Sequence, residues 1–153
     1  MVTPYENVTL ADLPTLKAML ALFGEVFEEP ATFQGNVPSD AYLQALLAKS
    51  HFIALAARDG DQVIGALAAY VLDKFEQERS EIYIYDLAVR ESHRRRGVAT
   101  GLIRALQHIG GERGAWVIFV QADPPDEPAI RLYESLGVRE EVLHFDIPVI
   151  KRR

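Results

Sequence analysis

Not one cysteine occurs in the 153 residues, so disulfides, a thiolate nucleophile and cysteine-ligated zinc are excluded. The four histidines, His51, His93, His108 and His144, show no spacing that demands a metal. There is no Gly-x-x-x-x-Gly-Lys-Ser/Thr, which excludes a nucleotide P-loop, and no Gly-x-Gly-x-x-Gly for a dinucleotide turn. No apolar run is long enough to span a bilayer. The start, Met1-Val-Thr-Pro-Tyr-Glu6, lacks a basic region followed by an apolar core, so no signal peptide and a cytoplasmic location are expected. Positive charge is also in short supply, with 16 Lys and Arg against 22 Asp and Glu, a net charge of −6 and a pI near 5.2. Nucleic acid and anionic membrane are therefore poor partners, while a polycationic small molecule fits the sign.

What is present is an ordinary globular composition, 49% hydrophobic and 25% charged, in a length that suits one domain over residues 1–153. Val2 to Leu10 reads as an edge strand. Asp12 caps a helix with Pro14 in its first turn and an apolar face of Leu16, Met19, Leu20, Phe23 and Phe27. A loop over 28–38 follows, then a helix from Ser39 with Tyr42, Leu43, Leu46 and Leu47 along one side. The apolar runs His51 to Ala57 and Gln62 to Leu72 flank Arg58-Asp-Gly-Asp61, a hairpin signal.

Glu81 to Val89 is read as the central strand, with Glu81, Tyr83 and Tyr85 on one face and Ile82, Ile84 and Asp86 on the other. A helix with Val98, Leu102, Ile103, Leu106 and Ile109 on one side is expected to break at the glycines between His108 and Gly114. Ala115 to Ala122 reads as a strand covered on both faces and stopped by Asp123-Pro-Pro-Asp126. Asp126 or Glu127 caps a helix carrying Tyr133 and closed by Gly137, and Val138 to Ile147 reads as a last strand. The order β-α-α-β-β-β-α-β-α-β implies an α/β fold: a mixed central sheet with helices on both faces and a right-handed crossover between the strands at 81–89 and 115–122.

The stretch Asp86-Leu-Ala-Val-Arg-Glu-Ser-His-Arg-Arg-Arg-Gly-Val-Ala-Thr100 reverses the charge of the chain locally. A strand enters a basic turn, and a helix leaves it. Amides at a helix start have no intrahelical partners, Gly97 has no Cβ to hold a ligand off, and Arg94, Arg95 and Arg96 offer forked donors. The turn suits a pyrophosphate, although a solvated basic turn before a surface helix has the same composition.

Arg94-Arg95-Arg96-Gly97-Val98-Ala99 resembles the Arg/Gln-x-x-Gly-x-Gly/Ala motif of the GCN5-related N-acetyltransferases (GNAT), whose turn holds the pyrophosphate of coenzyme A. Ala129-Ile-Arg-Leu-Tyr133-Glu-Ser-Leu-Gly137-Val resembles that family's second motif. Phe52 to Ala57, Val63 to Tyr70, Ser80 to Val89 and Glu140 to Ile147 are similar to the aminoglycoside 3-N-acetyltransferases, the gentamicin-acetylating, antibiotic-resistance branch. The resemblance implies acetyl-coenzyme A as co-substrate and no metal. It places the diphosphate on Arg94, Arg95, Arg96, Gly97, Val98, Ala99 and Thr100. It pairs the pantetheine with the main chain of Leu87, Ala88 and Val89 where two crossover strands splay, and gives Tyr133 both cofactor contact and the proton for the leaving thiolate. Asp126 departs from the pattern, since many members carry Asn there.

Transfer of an acetyl group from a thioester to an amine needs a free lone pair, a polarised carbonyl and a protonated thiolate. Glu81, Asp123, Asp126 and Asp146 are the candidate acids for a polycationic acceptor, with Tyr83 and His144 beside them. A carboxylate near its ordinary pKa is a poor base for an amine, so the base must be raised by burial or act through water. Asp146 is the favoured candidate, Glu81 the next, and His144 shares a strand face with Asp146. The leading reading is an acetyl-coenzyme A-dependent aminoglycoside 3-N-acetyltransferase. Its rivals are an acetyltransferase for another polyamine or a protein amine, an inactive coenzyme A-binding sensor and, last, a nucleic-acid binder using His93 to Arg96. A homodimer through an exposed C-terminal strand is left open.

Overall fold

The computed structural model describes residues 8–29 and 37–151. Most of the strand expected from Val2, the middle of the 28–38 loop and the last two arginines lie outside the described residues. The chain divides into two compact units, Met1–Gln121 and Ala122–Arg153.

In the first unit five strands form one sheet, in spatial order β1 (Val8–Leu10), β2 (Phe52–Asp59), β3 (Gln62–Asp73), β4 (Ser80–Val89) and β5 (Ala115–Val120). The first three pairings are antiparallel, and β4 pairs with β5 in parallel. β3 is thus the middle strand, and the stretch read as central from sequence lies between β3 and the edge strand β5. Helices α1 (Leu13–Val26), α2 (Asp40–Leu47) and α3 (Val98–Glu112) pack on the sheet.

Local chemistry sets the helix starts. Asp12 accepts from the Thr15 amide at 2.9 Å and Ser39 from the Tyr42 amide at 3.1 Å, the cap bonds that both residue types favour. The β2–β3 hairpin closes through Gly60 and Asp61 between the pair Asp59↔Gln62, and Gly60 takes φ +61°. α3 does not break where glycines first appear. It runs through Gly110 and Gly111 to Glu112, and Gly114, at φ +74°, follows its end. A Cβ at Gly110 would stand 3.1 Å from Ile82 Cδ1, so close packing on β4 outweighs the poor helix propensity.

The two sheet faces have separate cores. Leu16, Met19, Leu22 and Phe23 of α1 and Leu43 of α2 cluster with Phe52, Ala54, Ala56, Ala66, Ala68 and Ala88. On the other face α3 lies so close to β3 that a Cβ at Gly65 would meet Val98 Cγ1 at 2.7 Å and Leu102 Cδ1 at 3.2 Å. Gly65→Ala will therefore cost about 1–3 kcal/mol by overpacking and lower Tm by roughly 3–10 °C, read by calorimetry. An unchanged Tm would mean that α3 can shift freely.

Within the first unit β5 leaves Trp116 69% and Val117 49% exposed, so the covering expected on both faces of this strand is not supplied by that unit. In the second unit α4 (Glu127–Leu136) starts at Asp126, which accepts from the Ala129 amide at 3.3 Å, and Gly137 follows its last residue. No strand is assigned over 138–147 among the described residues. No helix among the described residues is long and apolar enough to cross a membrane.

Candidate active site

The site in the first unit begins with an irregularity in β4. Consecutive residues Ala68 and Ala69 of β3 pair with Asp86 and Ile84, which leaves Tyr85 as the extra residue of a β-bulge. A bulge breaks the alternation of side chains. Before it, Ile82 faces α3 and Gly110; after it, Asp86 lines a cavity with Leu16, Met19 and Phe23 of α1. The single face read from sequence for Ile82, Ile84 and Asp86 is therefore corrected. Asp86 belongs with the core beneath α1 and α2.

The parallel ladder stops beside the same bulge. Its pairs run to Ile84↔Val120, and beyond them Tyr85–Val89 has β3 on one side and, among the described residues of the first unit, no strand on the other. The unpaired edge includes Leu87, Ala88 and Val89, where the resemblance places a pantetheine. An edge without a neighbouring strand can take an extended ligand as an added strand.

Past the edge, a short 3-10 turn at Glu91–His93 leads into the arginines. Arg95 adopts φ +62° and Gly97 φ +79°. For a non-glycine residue this conformation costs on the order of 1–3 kcal/mol and persists at ligand clamps. No side chain caps the start of α3, so the amides of Val98, Ala99 and Thr100 keep their hydrogen-bonding capacity. Arg94 Nε donates to the Val89 carbonyl at 3.3 Å, and its side chain shares a polar cavity of about 240 Å³ with Glu25, Glu28 and Glu91. Arg95 and Arg96 are exposed and carry no ion pair or side-chain hydrogen bond among the described residues. The turn thus fits a diphosphate, with Arg95 and Arg96 as its uncommitted cations.

Sequence reasoning missed the tether that holds this turn. His93 Nε2 lies 2.8 Å from Asp59 Oδ2 and its Nδ1 lies 2.8 Å from Ser92 Oγ. The carboxylate can only accept, so Nε2–H donates to Asp59, and a neutral ring accepts the Ser92 hydroxyl at Nδ1. The turn is fastened to the tip of the β2–β3 hairpin.

Asp86 was also missed as a site residue. It faces a cavity of about 180 Å³ whose lining is mostly apolar, from α1, α2, β2 and β3, with Tyr42 and Tyr70 as its other polar members. Burial pushes its carboxyl above the usual carboxylate range. It has no hydrogen-bond or ion-pair partner among the described residues, and its oxygens remain reachable from the cavity. The signal available in the sequence was a lone acid in an otherwise apolar strand.

The acids proposed from sequence have other surroundings. Glu81 pairs with Arg79 at 3.3 Å, and the Arg79 guanidinium lies 4.5 Å from the centre of the Trp116 ring. It stands five residues from Asp86, about 16 Å along the strand. Tyr83 donates its hydroxyl to Gln121 at 2.8 Å and stacks on Phe119 at 4.7 Å, and burial raises its pKa. In the second unit Asp126 acts as the helix cap, its amide donates to the Asp123 carbonyl at 2.9 Å, and Asp123 is exposed. His144 and Asp146 do meet, at 2.9 Å, on an exposed stretch where the Asp146 side chain is 95% exposed. Asp86, half-buried against an apolar lining, is the acid whose carboxyl burial raises. Burial and the Asp126 carboxylate push the Tyr133 phenol up to about 12.

Comparison with known proteins agrees with this geometry. The family model described as "Acetyltransferase (GNAT) family" matches residues 16–138, well over half of the chain. The crystal structure of an aminoglycoside acetyltransferase from an uncultured soil metagenomic sample is 57% identical, covers 93% of this chain and 97% of that one, and superposes with a TM-score of 0.91. A second aminoglycoside acetyltransferase from a soil metagenome, crystallised with sisomicin, is 31% identical over 94% of this chain and 97% of its own, with a TM-score of 0.85. N-acetyltransferase family 8 member 2 of Rattus norvegicus is 26% identical over 63% of this chain and 42% of that protein, so the chain spans about two fifths of that curated relative. The bulged strand, the open edge and the arginine turn accordingly belong to a member of the GNAT acetyltransferase family, enzymes that use acetyl-coenzyme A.

Proposed function

We propose that residues 1–153 act as one N-acetyltransferase domain that moves the acetyl group of acetyl-coenzyme A directly to an amine of an aminoglycoside, at the 3-amine. The observation that carries the transfer chemistry is the register break at Tyr85, which opens the β4 edge and turns Asp86 into an apolar cavity. The 57% identity to an aminoglycoside acetyltransferase supports the substrate class, as does the chain's net charge of −6.

Acetyl-coenzyme A, when bound, supplies a thioester carbonyl already activated toward amines. Arg95 and Arg96 with the amides of Val98, Ala99 and Thr100 hold the diphosphate, Arg94 and Gly97 complete the turn, and Leu87, Ala88 and Val89 pair with the pantetheine. Asp86 takes the proton from the incoming ammonium, because its burial makes it a stronger base than an exposed carboxylate. This moves the base role from Asp146 and Glu81 to Asp86. Asp123, Asp126 and Asp146, with Tyr83 and His144, remain acceptor-side groups that attract and orient a polycation.

Tyr133 is assigned to the sulfur of the leaving group. A phenol at about 12 gives up its proton to a thiolate whose acid lies near 8.5 only at a cost of about 5 kcal/mol. Tyr133 therefore stabilises the developing thiolate as a hydrogen-bond donor, and the second proton of the amine nitrogen, released as the adduct collapses, passes to the leaving sulfur, so that the products are the amide, the free thiol and protonated Asp86. Tyr133→Phe will lower kcat about 10- to 100-fold, the worth of one hydrogen bond to a charged group, with KM for acetyl-coenzyme A unchanged. Wild-type kcat would remove the assignment.

The test is to incubate the protein with acetyl-coenzyme A and sisomicin, gentamicin, spermidine or a lysine peptide, follow free thiol, and locate the acetyl group by NMR. Acetylation of the 3-amine of the drugs is expected. Acetylation at another amine keeps the reaction and removes the position, and turnover with spermidine or peptide alone supports the rival acceptor.

A further inference from the structure

Aromatic rings cross four neighbouring strands on the face that carries Asp86. Phe52 of β2 meets Tyr70 of β3 at 5.5 Å, Tyr70 meets Tyr85 of β4 at 6.0 Å, Tyr85 meets Tyr83 at 5.6 Å, and Tyr83 stacks on Phe119 of β5 at 4.7 Å. Tyr85 is the bulge residue itself. It stands edge-on to Tyr70, at 87° between planes, and is 64% exposed. Tyr42 comes over from α2, is 63% exposed, and lines the same cavity as Tyr70 and Asp86.

Core packing does not explain two tyrosines exposed to that extent. Their hydroxyls do not explain them either, since neither Tyr42 nor Tyr85 has a side-chain hydrogen bond among the described residues, whereas Tyr83 spends its hydroxyl on Gln121. What the three elements bring together is a cavity lined by Tyr42, Tyr70 and Asp86, with the Tyr85 ring edge-on against Tyr70. The negative faces of such rings attract a cation, most strongly one that is weakly hydrated, such as an alkylated ammonium.

We propose that Tyr42, Tyr70 and Tyr85 form an aromatic ammonium subsite beside Asp86, which binds the acceptor by the faces of its rings and also admits small quaternary ammonium ions that cannot react. The inference rests on the proposed function, in that the ammonium bound there is that of the acceptor. Tyr85 is a specificity residue in this arrangement, because the bulge that aims Asp86 also presents its ring. A quaternary ammonium has no N–H and cannot be N-acetylated, so it occupies the subsite as a competitor.

The test compares choline with its neutral isostere 3,3-dimethylbutan-1-ol as inhibitors in the thiol-release assay. Choline should compete with the acceptor amine and not with acetyl-coenzyme A, and the alcohol should inhibit far less. Tyr85→Leu should raise the acceptor KM and the choline inhibition constant together, roughly 3- to 30-fold, with a smaller effect on kcat, while Tyr85→Phe keeps wild-type values for both. Equal inhibition by choline and the alcohol overturns the subsite. So does Tyr85→Phe behaving like Tyr85→Leu, which would point to the hydroxyl, and so does an unaltered Tyr85→Leu enzyme. If no amine releases thiol, the proposed function fails by itself. Calorimetric titration of choline into wild-type protein and Tyr85→Leu then still decides the subsite, with weaker binding to the variant expected and equal or absent binding against it.

Discussion

Asp86→Asn will lower kcat/KM for the acceptor amine by about 10²- to 10⁴-fold, the contribution of a positioned general base, and leave KM for acetyl-coenzyme A at its wild-type value. The same change has a pH signature in stability. Burial raises the Asp86 pKa, so the fold favours the protonated acid. The stability this provides is complete below the ordinary carboxylate value near 3.9 and is lost as pH rises through the raised value. Asparagine cannot lose a proton. The Tm of the variant minus that of wild type should therefore grow in the variant's favour as pH climbs from about 4, and stay there at neutrality. Lost activity accompanied by a fall in Tm at neutral pH would make Asp86 a structural acid, and retained activity would remove it from the reaction.

Replacing Arg95 and Arg96 together with alanine is the second large effect. Each guanidinium is exposed and uncommitted among the described residues, so its removal leaves no buried charge unpaired and its cost falls on the ligand. At about 1.5 kcal/mol for each charge-assisted hydrogen bond, KM for acetyl-coenzyme A should rise about 10²-fold, with Tm unchanged. Arg94→Ala should do less, because Arg94 is already engaged with the Val89 carbonyl and surrounded by Glu25, Glu28 and Glu91. A double variant that binds acetyl-coenzyme A normally would separate the turn from the diphosphate.

The parts of the fold that depend on neighbouring residues were legible in the sequence. Asp12, Ser39 and Asp126 start helices because their side chains bond amides three residues on, and Asp59-Gly60 marks a hairpin because its turn needs a residue that tolerates positive φ. The arginine turn was legible for the same reason: Gly97 and the helix behind it lie in one stretch. What depends on a distant partner was not. A strand read alone alternates, so Asp86 fell with Ile82 and Ile84, and only the pairing with Ala68 and Ala69 reveals the bulge that turns it over. Gly110 reads as a helix breaker until Ile82 is found against it. Glu81 reads as a free acid until Arg79 and Trp116 are seen beside it. The site suffered more than the fold, because the base proposed at Asp86 sits beside a pairing where the regular period fails.

In this proposal the break in β4 at Tyr85 makes the transfer site, leaving Leu87 to Val89 as an edge without a neighbouring strand in the first unit among the described residues and setting Asp86 at its end. A crystal structure of the protein with coenzyme A measures this directly. The expected result is pantetheine amides hydrogen-bonded to the main chain of Leu87–Val89, the diphosphate on the amides at 98–100, and the sulfur at the Asp86 end. Coenzyme A bound elsewhere, with this edge of β4 bare, would contradict it.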